Sequence, residues 1–257
     1  MAEAPASPMA AGLLDETVLS GVWQMALDGA LLERRQPLLR LYRWRRPTLS
    51  LGFHQPLQPA WLQWQQQGHG DLVRRPSGGG AVLHGGDLCY ALIWPEPPLS
   101  RLGAYTTICA WLQRAFADLG EPLRFGREAA ALGVDCFARS TAADLVTDAG
   151  VKRIGSAQRW QRGCLLQHGS IQLAPDPQHW AMLLGTPAPQ LAPLPLSGAA
   201  LSNHLIEAAR PWLQLPAQPR PLEAALLAQA GQKIDHYSVE GGGSAVTSPL
   251  ATIAPTT

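Results

Sequence analysis

The segment at residues 74–84 constrains this chain more than any other, because it reads RRPSGGGAVLH. Three consecutive glycines remove every side chain from a short backbone segment, so a ligand can approach the main chain closely. Successive N–H groups in such a loop can bind an anion or a carbonyl oxygen. Two arginines precede the loop and His84 follows it. On spacing alone, the glycines are equally consistent with a tight turn between two strands.

Composition narrows the class of protein. The chain has 257 residues, of which 46% are hydrophobic and 15% charged, as expected of a globular protein with a sizeable core. Its net charge of +1 gives no reason to expect nucleic acid or an anionic membrane as a partner. The sequence contains neither a run of roughly 18 apolar residues nor a secretory signal, so we expect a cytoplasmic protein without membrane contact. We also expect a monomer.

The four cysteines lie at positions 89, 109, 136 and 164, without the spacing of a metal site. We therefore predict no bound metal. A cysteine is more often a small buried apolar residue than a nucleophile, and we expect Cys89, Cys109 and Cys164 to be core residues. Only two lysines occur, Lys152 and Lys233. A lysine, unlike an arginine, can take part in proton transfer.

Hydrophobic periodicity predicts an α+β, mixed α/β protein. We predict one domain over residues 15–237, with disordered tails at 1–14 and 238–257. A first helix is expected to start at Asp15-Glu16, and a clear helix at 104–119. We predict a hairpin whose strands, 81–84 and 88–94, are joined by residues 85–87. Further strands are expected at 39–44, 48–52, 71–74, 144–146, 152–154 and 164–173, and further helices near 177–184, 198–210 and 221–231.

Three more segments accompany the glycine loop: MALD at 25–28, PTLSLGFHQ at 47–55, and KRIGSAQ at 152–158 followed by LQHGSI at 166–171. In this order, the segments resemble the lipoate–protein ligase and octanoyltransferase superfamily, whose members share the biotin/lipoate protein ligase catalytic domain. The resemblance covers about residues 18–185. It implies a single catalytic domain with mixed sheets and flanking helices. Many members carry an acidic residue where this chain has Gly29.

The resemblance also implies which residues act. The octanoyltransferase branch carries a nucleophilic cysteine where this chain has Cys136, and Lys152 lies where the family's lysine contacts the activated acyl carbonyl. Cys136 and Lys152 are the predicted catalytic residues. The glycine loop would form the floor of the acyl pocket. The predicted substrate-binding residues are Arg74, Arg75, Ser77, Gly78, Gly79, Gly80, His84, Gly155, Ser156, Ala157, His168 and Gly169.

The implied reaction moves octanoyl from acyl carrier protein to Cys136, and then to a lysine of a lipoyl domain. Acceptors would be E2 subunits of 2-oxoacid dehydrogenases or the glycine cleavage H protein, and no cofactor is expected. A thiolate is both a nucleophile and a leaving group. The pKa of a free thiol is about 8.5, so a nearby Lys152 ammonium would favour the thiolate. Arg74 or Arg75 could hold the phosphate of phosphopantetheine or of AMP.

Alternatives remain open at this point. An ATP-dependent lipoate ligase would need ATP and Mg²⁺ and act independently of Cys136. An amidotransferase would move lipoyl or octanoyl groups between carrier proteins by the same chemistry. A non-catalytic module would bind lipoyl domains without turnover, which Gly29 favours. A biotin ligase fits the motif order less well. We expect His84 and His168 to line the pocket as hydrogen-bonding groups without carrying protons.

Overall fold

The computed structural model describes residues 8–126 and 144–239, and all structural statements concern these residues. The strands are β1 Gly12–Leu19, β2 Leu38–Trp44, β3 Thr48–Leu51, β4 Asp71–Arg74, β5 Val82–His84, β6 Asp87–Pro95, β7 Arg124–Phe125, β8 Leu145–Val146, β9 Lys152–Gln161 and β10 Cys164–Gln172. The helices are α1 Gly21–Arg34, α2 Pro59–Gln66, α3 Arg101–Asp118, α4 Pro177–Leu184, α5 Gly198–Leu213, α6 Ala224–Gly231 and α7 Ile234–Tyr237.

Two sheets organise these elements. The larger has the order β1-β2-β6-β10-β9-β8-β7 and the smaller β4-β3-β5. Strand β6 lies inside the larger sheet and is buried along almost its whole length, since helices cover both sheet faces. The predicted mixed α/β class, with sheets and flanking helices, is confirmed.

Side-chain alternation along β6 sends successive residues to different cores. Leu88, Tyr90 and Leu92 join a core with α3 and α5, whereas Cys89 and Ala91 join a core with α1 and α6. A third core lies between the smaller sheet and the two helices α2 and α4. The candidate site lies on the α1 side of the larger sheet.

Two sequence predictions are wrong. Residues 12–19 form β1, paired in parallel with β2, where we expected a disordered tail followed by a helix from Asp15. This strand buries Leu13 and Leu14, and its acidic residues Asp15 and Glu16 lie exposed. The periodicity of the helix begins only after Ser20, so α1 starts at Gly21. An exposed acidic pair within an edge strand therefore resembles a helix start.

The predicted hairpin is also wrong. Strand β5 pairs with β3 in the smaller sheet, whereas β6 pairs with β2 and β10 in the larger one. Residues 85–86 thus carry the chain from one sheet to the other. A Cβ atom at Gly86 would lie 1.9 Å from the carbonyl oxygen of Ala174, so the crossing depends on a close backbone approach that only glycine allows.

Candidate functional site

A narrow chamber with a volume of about 40 Å³ lies where the two sheets meet α1. Strands β9 and β10 supply one wall, and the smaller sheet supplies the opposite one. Its predicted lining residues are Arg75, His84, Gly155, Ser156, Ala157, His168 and Gly169. Its unpredicted lining residues are Met25, Tyr42, Trp44, Ser50, Val82, Cys89 and Ser170. The structure therefore brings together residues from all four of the sequence motifs.

A chain of polar groups runs along one side of this chamber. The Oγ of Ser77 lies 2.6 Å from Nε2 of His168, and Nδ1 of that histidine lies 2.7 Å from Oδ2 of Asp28. The guanidinium of Arg40 donates to Oδ1 of Asp28 at 2.7 Å. All four side chains are buried. Burial would raise the pKa of Asp28, but the charge of Arg40 and the hydrogen bond from His168 lower it below its usual value.

This arrangement suits one tautomer of His168. With Nδ1 donating to the Asp28 carboxylate, Nε2 can accept from the Ser77 hydroxyl. The same hydrogen bonds tie the start of the glycine loop to β10 and α1. Asp28 belongs to the MALD segment, which the sequence analysis singled out. Its role depends on contact with His168, which lies 140 residues away in the sequence.

A second histidine network lies on the other side of the chamber. His84 accepts from or donates to Ser50 Oγ through Nε2 at 2.8 Å, and its Nδ1 lies 2.6 Å from Oδ2 of Asp87. Ser170 also donates to Asp87, at 2.6 Å. The Trp44 ring stacks on His84 at 4.2 Å. Burial opposes ionisation of Asp87, yet His84, then Ser170, bring its pKa below the ordinary value.

Cys89 belongs to this second network, and its surroundings make it a poor nucleophile. Its thiol donates to Asp87 at 3.2 Å and accepts from the indole N–H of Trp44 at 3.2 Å. Burial and the neighbouring Asp87 charge raise the thiol pKa well above its usual value. Burial also raises the thiol pKa of Cys109, to about 12, and that of Cys164. The described cysteines are therefore protonated core thiols, as the sequence predicts.

Donor atoms of His84, Asp87 and Cys89 lie within 4.8 Å of one another, a separation that a metal ion could bridge. A metal would need the Cys89 thiolate, whereas its environment favours the thiol. The same donor atoms already make the hydrogen bonds given above. This cluster is thus explained as a hydrogen-bonded support for the chamber wall.

The two loop arginines hold the protein's own backbone. Nη1 of Arg74 donates to the carbonyls of Gly52, Phe53 and Gln55 at 2.8, 3.0 and 2.8 Å. Arg75 is buried and reaches the carbonyls of residues 50, 78 and 80 at 2.8, 2.9 and 2.6 Å. Arg75 therefore fixes the shape of the glycine loop, and Arg74 fixes the neighbouring segment at residues 52–55.

The glycines of this loop, Gly78 to Gly80, are not among the residues that line the chamber. Gly79 has a φ of +97°, a left-handed conformation that favours glycine. A Cβ atom at Gly52 would lie 1.9 Å from the carbonyl oxygen of Gly79, so the neighbouring segment packs directly on the loop. The chamber is contacted instead at both ends of the loop, by Arg75 and Val82.

Strand β9 presents backbone to the chamber. Gly155 and Ala157 lie on the α1 side, while Ser156 turns its Oγ to the hydroxyl of Tyr90 at 2.8 Å. Beyond Ile154, β9 pairs only with β10 among the described strands. Alternate N–H groups of such an edge point away from the sheet. They are candidates for binding a carbonyl oxygen.

Lys152 begins β9, three residues before Gly155, and does not itself line the chamber. Its Nζ lies 3.0 Å from Oδ2 of Asp144, and both side chains are buried. The carboxylate fixes the position of the ammonium. Cys136, the other predicted catalytic residue, lies outside the described residues.

None of the helices in the described part of the chain is long and apolar enough to span a membrane.

Comparisons with known proteins agree with this geometry. The family model of the lipoyl protein ligase A/B catalytic domain matches residues 20–192. Octanoyltransferase LipM of Oceanobacillus iheyensis is 36% identical over 190 residues, covering 69% of this chain and 69% of the relative. Octanoyltransferase LipM of Kyrpidia tusciae is 35% identical over 188 residues, covering 66% and 68%.

Solved structures show the same fold. Lipoate-protein ligase A bound with ATP has a TM-score of 0.74 at 22% identity, covering 88% of this chain and 95% of that one. A bi-partite lipoate protein ligase from Thermoplasma acidophilum has a TM-score of 0.71 at 21% identity, covering 89% and 92%.

Proposed function

The chain belongs to the lipoyl protein ligase A/B catalytic domain family, and from this membership we propose that it transfers octanoyl from acyl carrier protein to lipoyl domains. It is an acyltransferase, like the curated octanoyltransferases it resembles. The proposed acceptors are lysines of 2-oxoacid dehydrogenase E2 subunits or of the glycine cleavage H protein, and the transfer takes place in the cytoplasm. The proposed intermediate is a thioester on Cys136.

The observation that carries this proposal is the chamber itself. Met25, Tyr42 and Val82 give it apolar walls, and Gly155 and Ala157 give it an exposed main chain. Burying an acyl chain in such a space is worth about 0.8 kcal/mol per methylene. N–H groups at the β9 edge can stabilise the oxyanion that develops on the acyl carbonyl. The chamber therefore suits an acyl group whose carbonyl lies at the edge of β9.

The chemistry divides into two balanced steps. The Cys136 thiolate attacks the carbonyl carbon of the carrier thioester, and the carrier sulfur leaves with a proton from the Lys152 ammonium. The neutral acceptor amine then attacks the new thioester. Its proton returns to Lys152, the amide forms and the Cys136 thiolate leaves. Asp144 holds Lys152 in position throughout. The cycle needs no ATP and no metal.

A transfer assay tests the proposal. Octanoyl carrier protein and an apo lipoyl domain are incubated with the enzyme without ATP, and the acceptor is analysed by mass spectrometry. We expect octanoylated acceptor with the wild type, none with Cys136→Ala, and normal product with the control Cys164→Ala, whose thiol lies in the core.

Other outcomes identify the alternatives. Activity that requires ATP and free octanoate, and persists in Cys136→Ala, indicates a ligase. Activity only from octanoylated or lipoylated protein donors indicates an amidotransferase. Binding of the lipoyl domain without any turnover indicates a non-catalytic module. Each of these results would overturn the proposed donor or mechanism.

A further inference from the structure

A second pocket, here called the vestibule, has a volume of about 370 Å³. On α1, Met25 lines the chamber and Gly29 lines the vestibule. On β9, Ala157 lines the chamber and Arg159 the vestibule. Residues four apart on a helix, or two apart on a strand, share a face. The two pockets therefore lie in succession between the same faces of α1 and β9.

The outer wall of the vestibule comes from the C-terminal helices. Lys233, His236 and Tyr237 line it, and all three lie beyond residue 192, where the match to the family ends. A Cβ atom at Gly29 would lie 2.1 Å from the Tyr237 hydroxyl oxygen, so glycine at this position makes room for the phenol. Many family members carry an acidic residue at this position. Glycine here therefore allows Tyr237 to form this wall.

The vestibule has an excess of positive charge. Its ionised residues are Arg159, Lys233 and Glu33, with His236 beside them. Lys233 and Glu33 form an ion pair at 2.5 Å and neutralise each other. The guanidinium of Arg159 lies over the Phe53 ring at 5.4 Å and makes no ion pair with the described residues. One uncompensated positive charge therefore faces the space.

Arg159 can supply a guanidinium for a phosphate group, which the loop arginines do not. The contacts of Arg74 and Arg75 given above direct their donors at backbone carbonyls. A guanidinium suits phosphate oxygens because its N–H groups form a planar fork. Residues 157 and 159 of β9 are about 7 Å apart, at roughly 3.3 Å per residue. The vestibule can thus hold a group separated from an acyl carbonyl in the chamber.

We propose that the vestibule binds the phosphate of the acyl donor's phosphopantetheine arm, with Arg159 as its principal contact. This inference rests on the proposed function. The acyl thioester occupies the chamber, the arm follows α1 and β9 outward, and its phosphate meets the guanidinium. Gln161 and Tyr237 line the same space and can add hydrogen bonds.

The test is a binding experiment that needs no turnover. S-octanoyl-4′-phosphopantetheine and S-octanoyl-pantetheine, which differ only in the phosphate, are titrated by calorimetry into the full chain carrying Cys136→Ala, because the Cys136 thiolate would otherwise react with both thioesters. We expect the phosphorylated probe to bind at least about tenfold more tightly, as one charged hydrogen-bonded contact predicts. Arg159→Gln should abolish this preference. The control Arg162→Gln removes the same charge from the exposed turn between β9 and β10 and should keep it.

Equal binding of both probes by the Cys136→Ala protein, or an unchanged preference when Arg159→Gln is added to it, would overturn the proposal. AMP is titrated in parallel, because an adenylate also presents a phosphate. If AMP binding depends on Arg159 and the phosphopantetheine probe shows no preference, the donor assignment is wrong.

Transfer from both probes to an apo lipoyl domain, measured with Cys136 intact, separates the two proposals. An Arg159-dependent phosphate preference without any transfer would retain the vestibule site and contradict the proposed function. Equal transfer from both probes would support the proposed function and contradict the vestibule site.

Discussion

Ser77 and His168 lie 91 residues apart in the sequence, yet the Oγ of the first lies 2.6 Å from the Nε2 of the second. The hydrogen bond joins the glycine loop to the larger sheet at the edge of the chamber. Because Asp28 holds the other ring nitrogen, the geometry of the loop depends on a helix, a strand and a loop at once.

Replacing Ser77 by Ala would leave a buried ring nitrogen of His168 without its hydroxyl partner. We expect the free energy of unfolding to fall by about 1–3 kcal/mol, the range for an unsatisfied buried polar group. Urea denaturation measures the change. The control Ser197→Ala lies at an exposed helix start without a side-chain cap and should change stability by less than about 0.5 kcal/mol. A Ser77→Ala protein as stable as the control would contradict the role given to this hydrogen bond.

Asp28→Asn removes the charge that faces both Arg40 and His168 in the core. A buried guanidinium left without its partner costs about 3–5 kcal/mol, so we expect a loss of this size in chemical denaturation. Asp148→Asn, in an exposed turn, serves as the control and should be near neutral. Similar effects of the two substitutions would show that the Asp28–Arg40 pair does not stabilise the fold.

The pH dependence of stability follows from Asp87. Its pKa is lower in the folded protein than in the unfolded chain, chiefly because His84 outweighs the opposing effect of burial. This stabilisation is fully present above the unfolded value of about 3.9, and it is lost as the pH falls through the folded value. We expect Asp87→Asn to be least stable relative to wild type near neutral pH. The difference should shrink on acidification below about pH 4, and a constant difference would exclude this contribution.

The contact between Gly52 and the glycine loop gives a matched pair of substitutions. A Cβ atom at Gly52 would collide with the backbone of Gly79, whereas nothing lies within 4 Å of one at Gly78. Overpacking against backbone costs about 1–3 kcal/mol. Gly52→Ala should therefore lower the unfolding temperature markedly and Gly78→Ala only slightly. Equal shifts in calorimetry would mean that the loop can move away from residue 52.

The sequence predicts most strands and helices, because their periodicities are local. It fails where the pairing partner decides the structure. Strand β1 is stabilised by parallel pairing with β2, and no local pattern reveals that contact. The segments of β5 and β6 read as a hairpin because glycines separate them, but their hydrogen-bonding partners lie in different sheets.

The candidate site likewise contains residues that the sequence predicts and residues that it does not. His84, His168 and the backbone of residues 155–157 were found through motifs, and they meet in the chamber. Their buried partners, Asp28 and Asp87, come from other elements, and only the three-dimensional structure shows that they contact the histidines. The vestibule escaped prediction for a further reason: its outer wall is built by α7, in a part of the chain without a recognisable motif.

The intact mass of the purified protein, after incubation with octanoyl carrier protein in the absence of ATP and acceptor, tests transfer through Cys136. We expect a gain of one octanoyl group that hydroxylamine removes, because thioesters are labile to it. The adduct should be absent from Cys136→Ala and present in Cys164→Ala. No adduct on the wild type, or an adduct that survives Cys136→Ala, would contradict transfer through a Cys136 thioester.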